Sequence, residues 1–359
     1  MKAILMLEDG TVFEGEPIGK EGIAAGPIFF DTRVVGYQEV MTDPANADKI
    51  LLLTYPLIGN YGINEKFNES ETARVKGLVI KEKSKTYSNW QAKSSLEDFL
   101  EQEGIVGITE VDTRTLAVHL RDNGEMLAAI STNGKGRQEV LDQIKRLKQN
   151  KKQSLIKEIS IKKPKVIAGN TKTKIGILDL GIPQGLITQL KNLGVEIIVL
   201  PYDTSAEKIL KSQLKGLILS SGPEEDIAQE QILPILKNII GKIPVLGIAV
   251  GAHLVAKALG AATKKMILGH HGVNYPIKSP DSFKGHITVQ NHSWVVELDS
   301  LKKIKDMHIT ALNLNDGTVE AFESKKHKVV AVQYCLTSPG FDEANATLIK
   351  FLQFVKGKK

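Results

Sequence analysis

A five-residue turn, Gly-Ile-Ala-Val-Gly at 247–251, constrains the fold of this chain more than any other feature. It follows an apolar run, Pro244 to Ile248, that reads as a buried strand, and it precedes a helical run, Ala252 to Leu259. Strand, tight glycine-flanked turn and helix in that order make a nucleophile elbow, which lifts its middle residue above the end of a sheet. The middle residue here is Ala249. A methyl group can neither attack a carbonyl nor take up a proton, so the layout of a catalyst is present without its reactive atom.

The segments leading to the elbow alternate in type. Lys174 to Leu180 reads as a strand, Pro183 to Leu193 as a helix, Glu196 to Leu200 as a strand and Ser205 to Leu214 as a helix. Gly216 to Ser220 is a strand and Ala228 to Ile240 a helix. This rhythm predicts an α/β domain with a doubly wound, mostly parallel sheet, whose functional groups lie beyond the carboxyl ends of the strands. Gly285 to Gln290 with Trp294 to Leu298, and Val319 to Phe322 with Val329 to Gln333, read as antiparallel pairs on the same domain.

Residues 1–150 have a different texture. Short β-runs at Ala3 to Leu7, Thr11 to Phe13, Ile28 to Asp31, Ile50 to Thr54 and Gly77 to Ile80 predict a mixed β/α domain. Two helices complete it, one from Leu96 ending at Gly104 and one capped by Asp112 and closed by Gly124. Residues 151–172, charged, without aromatics and broken by Pro164 and Gly169, read as a basic linker, which leaves 173–359 as the second domain. A length of 359 residues suits two cores, because single cores stop growing near about 250–300 residues.

Formal net charge is +6, but the lysines concentrate at 145–174 and in the Lys356-Gly-Lys-Lys tail without interleaved aromatics. That pattern is a solvated surface and predicts no nucleic-acid partner. The opening apolar run is too short for a signal peptide, and no stretch reaches the roughly 18 apolar residues of a span, so a cytoplasmic protein with no membrane partner is expected. Cys335, the single cysteine, excludes a disulfide or a thiolate zinc cluster within one chain.

The motifs together carry a likeness over nearly the whole length. In the first half they are Leu7-Glu-Asp-Gly-Thr, Gly36-Tyr-Gln-Glu, Thr42-Asp-Pro, Thr54-Tyr-Pro-Leu-Ile-Gly-Asn-Tyr-Gly, Gly77-Leu-Val-Ile and Asp112-Thr-Arg. In the second they are Ser220-Ser-Gly-Pro, Pro244-Val-Leu-Gly-Ile, Gly269-His-His-Gly-Val-Asn-Tyr-Pro, Gln290-Asn-His and Ser338-Pro-Gly. The chain resembles the small subunit of carbamoyl-phosphate synthase, which joins such an N-terminal domain to a class I, triad-type glutamine amidotransferase domain.

The resemblance implies a glutaminase site, and this chain departs from it at each chemical position. The family elbow carries a Cys nucleophile where Ala249 stands. The His of its H-P-E segment falls on Cys335 and the orienting Glu, allowing one deletion, on Thr337. The implied glutamine pocket falls on Ala45, Gly222, Glu224, Val250, His253, Asn291, Ser293 and Trp294. Of the positions that contact the substrate backbone, namely Val250, Asn291, Ser293 and Trp294, only Asn291 keeps a matching side chain. A nucleophile, its base and its orienter act as one unit, and losing the nucleophile alone costs roughly 10⁶ in rate, about 8 kcal/mol of barrier. A family member with a degenerate triad is therefore expected, one that serves as structural or regulatory partner of an ATP-dependent large subunit using free ammonia. The resemblance places that work in pyrimidine and arginine biosynthesis, with ATP and Mg on the large subunit and no cofactor in this chain.

Two other readings stand beside it: a metabolite sensor using the remodelled pocket, lined by Glu224, His253 and Trp294, and an enzyme rebuilt on Cys335. Cys335 lacks a sequence-adjacent base and reads more simply as a small buried hydrophobe. His270, His271, His286 and His292 could be taken as a metal set, but Gly-His-His-Gly belongs to the family signature, so no metal is expected. Gly222-Pro223 is followed by Glu224 and Glu225 rather than Lys-Ser/Thr, which predicts no phosphate loop.

Overall fold

A computed structural model describes residues 2–134, 136–149, 154–282, 284–337 and 343–357. The Ser338-Pro-Gly motif, Lys151 and Lys152 of the basic stretch, and the final two lysines lie outside the described residues. The chain divides into two compact units, Met1–Lys151 with Ile267–Gly272, and Lys152–Met266 with Val273–Lys359.

The first unit is built on a closed barrel. Its strands are β1 (Ala3–Leu7), β2 (Val12–Gly19), β3 (Ile23–Asp31), β4 (Ile50–Leu53), β6 (Gly77–Val79), β8 (Val106–Thr109) and β9 (Met126–Ser131), in the order β1-β2-β8-β6-β4-β3-β9. A minor parallel pair joins β5 (Leu57–Ile58) to β7 (Glu82–Lys83). The four apolar residues of β4 serve two cores by alternation: Ile50 and Leu52 pack with Leu5, Ile28 and Leu116, and Leu51 and Leu53 with Phe29, Tyr37 and Leu100. The helices are α1 (Tyr37–Thr42), α2 (Leu96–Glu103), α3 (Thr113–Asn123) and α4 (Arg137–Gln149). Ser95 and Asp98 form a capping box at α2, and Gly104 ends it with φ 73°. Asp112 caps α3, its Oδ1 accepting from Thr115 N at 3.0 Å.

The second unit holds a ten-stranded sheet in the order β10-β12-β11-β13-β14-β19-β18-β17-β15-β16. These are β10 (Lys165–Ile167), β11 (Lys174–Asp179), β12 (Glu196–Pro201), β13 (Gly216–Leu219), β14 (Val245–Ile248), β15 (Thr263–Lys278), β16 (Gly285–Val296), β17 (His308–Asn313), β18 (Val319–Ser324) and β19 (Val329–Val332). The run β12-β11-β13-β14-β19 is parallel throughout. Helices α5 (Leu155–Ile159), α6 (Gln184–Asn192), α7 (Ala206–Lys211), α8 (Gln229–Ile239), α9 (Val250–Ala258), α10 (Leu298–Lys302) and α11 (Ala346–Val355) complete it. The expected pair β18–β19 forms antiparallel.

Two expectations need correction. The stretch 151–172 is no open linker over its described part. It carries α5 and the edge strand β10, Ile156 is fully buried in the core, and Asp226 accepts from Ser154 Oγ at 2.8 Å and Ile156 N at 2.9 Å. Residues 285–298 are not a hairpin. Gly285–Val296 is one strand, in which Gln290 to Ser293 are buried consecutively although Asn291 and Ser293 are turn-forming residue types.

Candidate functional site

The elbow forms as the glycine spacing requires. Ala249 has φ 50° and ψ −113°, a conformation that costs a non-glycine residue about 1–3 kcal/mol. It is held there from both sides: its N–H donates to Val332 O at 2.9 Å, and its carbonyl accepts from Ala252 N at 2.9 Å and His253 N at 3.2 Å. The helix starts at Val250, two residues before the hydropathy pattern predicts, so the apex itself is the residue before the first turn. A Cβ on Gly247 would lie 2.7 Å from Gly251 O, and one on Gly251 would lie 2.5 Å from Leu219 O. Strand and helix are thus as close as two backbones can come, and the raised position bears a methyl that is 4% exposed.

The parallel register Ile248↔Val332 sets the segment after β19 beside the elbow, and that segment carries Cys335 and Thr337. Cys335 is half-buried and its N–H donates to Val289 O at 2.9 Å. Thr337 is exposed, with its carbonyl accepting from Asn345 Nδ2 at 3.1 Å. Gln189, a residue outside the sequence reading, holds this segment by donating to Leu336 O at 2.6 Å and accepting from Asn345 N at 2.8 Å.

Neither nearby imidazole is a ready base. His253 is buried, and desolvation together with the charge of Lys257 pushes its pKa down to about 3, so it is neutral beside Glu224 Oε1 at 3.8 Å. Both ring nitrogens of His292 are engaged, Nδ1 with Trp294 O at 2.9 Å and Nε2 with Gln290 Oε1 at 2.8 Å. Gln290 Nε2 in turn donates to Glu320 Oε2 at 2.8 Å, and Asn313 Nδ2 donates to Glu320 Oε1 at 2.7 Å. Sequence reasoning missed this buried chain, although a lone carboxylate in the apolar run Val319 to Phe322 was its signal.

The remaining pocket positions divide between the units. Ala45 lies in the first, buried in a single 3-10 turn, Pro44–Asn46, capped by Asp43. Gly222, Glu224, Val250, His253, Asn291, Ser293 and Trp294 lie in the second. Gly222 passes so near Leu180 O that any side chain would collide with it. Glu224 is brought to Ser293 and Trp294: its Oε2 accepts from Ser293 N at 2.7 Å and its Oε1 from Trp294 N at 3.2 Å. Of the other histidines, His271 belongs to the first unit, where Nε2 lies 3.0 Å from Glu125 Oε1 and the ring 4.7 Å from that of Phe29, and His286 is exposed.

The first unit has a cleft of about 560 Å³ whose lining joins two sequence motifs, Thr54 and Pro56 from one and Asp112 and Arg114 from the other, with Lys81 and Arg121.

A parallel sheet that ends in an elbow, with the segment after the neighbouring strand beside it, defines a glutamine amidotransferase-type domain, and residues 177–335 match the family Glutamine amidotransferase class-I. Residues 5–130 match the family described as Carbamoyl-phosphate synthase small chain, CPSase domain. Among curated relatives, the carbamoyl phosphate synthase small chain of Oceanobacillus iheyensis is 38% identical over 359 residues, covering 100% of this chain and 97% of that protein. Its counterpart in Staphylococcus epidermidis is also 38% identical at the same coverage. That of Caldanaerobacter subterraneus is 39% identical over 356 residues, 99% and 97% of the two chains. The chain belongs to the carbamoyl-phosphate synthase small chain family.

Proposed function

We propose that this chain is a small chain that no longer hydrolyses glutamine and acts as the structural and regulatory partner of an ATP-dependent large chain, which then draws free ammonia to make carbamoyl phosphate for pyrimidine and arginine synthesis. The observation that carries the reading is the apex of the elbow. The strained turn, its two glycines and its backbone bonds are all in place, yet Ala249 offers only a methyl. A carboxamide is opened by a nucleophile, and activation of that nucleophile needs a base within hydrogen-bond reach. His253, neutral and with a pKa near 3, is a poor one. The relatives' shared name, small chain, supports a larger partner, and the motif-lined cleft of the first unit is a surface such a partner can grip. Catalysis with ATP and Mg belongs on that partner.

The sensing alternative is less favoured, since Glu224 already occupies the amides that a ligand carboxylate would seek. The test is co-expression with the ATP-dependent chain encoded by the same genome. The two chains are expected to co-purify and to synthesise carbamoyl phosphate from ammonium, with glutamine giving no more product than a nitrogen-free control. Equal rates from both nitrogen sources would reject the reading.

A further inference from the structure

The cleft of the first unit lies where strand direction favours a site. Four neighbouring barrel strands, β3, β4, β6 and β8, run parallel to one another. Part of the lining comes from their carboxyl ends: Phe30 from the end of β3, Thr54 directly after β4, Lys81 two residues after β6 and Asp112 three after β8. Ligand sites of parallel sheets and barrels gather at that end, because the loops there can vary without disturbing the strands. The other wall is helix α3, which Leu116 and Leu120 fasten to the barrel core. Arg114, Ala117, Val118 and Arg121 follow the spacing i, i+3, i+4 and i+7, so they share one face of the helix, and all four line the cleft.

That face has two arginines, about 10 Å apart along the helix axis, with an apolar patch of alanine and valine between them. Phe30 and Pro56 extend the patch, and Val118 is left 40% exposed. Charge then decides the kind of ligand. The lining carries three cations, Lys81, Arg114 and Arg121, against one acid, Asp112. Both oxygens of Asp112 are committed to the cap of α3, accepting from Thr115 N at 3.0 Å and Thr115 Oγ1 at 2.8 Å. Arg121 Nε donates to Asp122 at 2.9 Å, whereas Lys81 and Arg114 form no ion pair among the described residues. The volume, about 560 Å³, exceeds what a bare inorganic anion fills and falls within the range of small-molecule sites.

We propose that this cleft binds an organic phosphate monoester, its phosphate held by Arg114 and Lys81 and its apolar body laid over Ala117, Val118 and Phe30. A guanidinium meets phosphate oxygens with paired N–H donors, and two cations at one place suit a dianion better than a single carboxylate. The inference goes beyond the proposed role, because the cleft takes its ligand whether or not a large chain assembles and whether or not any amide is hydrolysed.

Phenyl phosphate is the probe, titrated calorimetrically into the full chain at fixed ionic strength, with inorganic phosphate and phenol as its two halves and the ¹⁵N–¹H shifts of Thr113 and Val118 followed in parallel. Saturable binding is expected, about tenfold or more tighter than either half, with both amide shifts moving to saturation. Arg114→Gln and Lys81→Gln, both at exposed positions, are each expected to weaken it about tenfold. Val118→Asp, which keeps both cations and spoils the apolar patch, is expected to weaken it at least as much. Lys163→Gln, an exposed cation outside the lining, is expected to leave it unchanged. No saturable binding of phenyl phosphate overturns the proposal, and so does inorganic phosphate binding equally well or Lys163→Gln weakening binding as much as Arg114→Gln. Arg114→Gln losing the large chain while the native protein ignores phenyl phosphate would make the cleft a protein-docking face instead, and would also overturn it.

Discussion

In the first unit the signature residues bond to one another, whereas in the second they hold up a position that carries no chemistry. Tyr37, of one N-terminal motif, reaches directly into another, and Gln38 bonds to Asn64 just beyond it. Tyr37 Oη donates to Gly62 O at 2.6 Å, its ring stacks 4.2 Å from that of Tyr61, and Gln38 exchanges bonds with Asn64 at 2.7 and 3.0 Å. Around the elbow, Gly247 and Gly251 are fixed by contact with backbone, yet the residue they raise is Ala249. The difference separates two demands that an active enzyme makes at one place: the turn must pack, and its apex must react. Packing demands persist whatever the apex bears, because the glycines have no room for a side chain.

The largest expected effect breaks the elbow scaffold itself. Gly251→Ala places a Cβ 2.5 Å from Leu219 O, where only backbone can yield, and is expected to destabilise the protein by about 2–4 kcal/mol in urea unfolding. A loss under about 0.5 kcal/mol would mean that the turn is looser than these contacts imply.

A second test uses pH. His253 has a folded pKa of about 3 against an ordinary value of 6.5, so the unfolded chain takes up its proton first as pH falls. Its contribution is full above pH 6.5, declines at no more than about 1.4 kcal/mol per pH unit towards pH 3, and is level below that. His253→Gln, compared with the native protein by chemical denaturation from pH 7 to 3, is expected to show a shallower acid decline. Parallel stability profiles would contradict the buried, neutral imidazole.

On the other side of the comparison, Tyr37→Phe removes one buried hydrogen bond between motifs and leaves Gly62 O without that donor. The expected loss is about 1–2 kcal/mol, read as a lower urea midpoint at unchanged slope. The smallest effect sharpens the chemical half: Ala249→Cys is expected to leave glutamine hydrolysis at background, since a thiol at 249 gains no base. Turnover well above the native chain would reveal a proton acceptor that the geometry does not show.

Much of this organisation was legible along the chain. Ser95, Asp112 and the glycines at 104 and 124 marked helix ends by local chemistry, and the glycine pair at 247 and 251 marked the elbow, because such signals act over a few residues. What escaped depends on distant partners. β10, with its charged flanks, is a strand only because β12 lies beside it, and closure of the barrel rests on pairing β1 with β9 across most of the unit. At the site, Glu224 read as an acid lining the remodelled pocket and, with Glu225, as a sign against a phosphate loop. Its carboxylate is instead the anion, seated on amides 69 and 70 residues further along the chain.

The most direct test of a silent elbow is the release of glutamate and ammonium from glutamine by the purified chain, alone and bound to its large partner, measured against a boiled control. Glutamine left intact in both samples is the expected result. Stoichiometric glutamate and ammonium accumulating with enzyme concentration would contradict it.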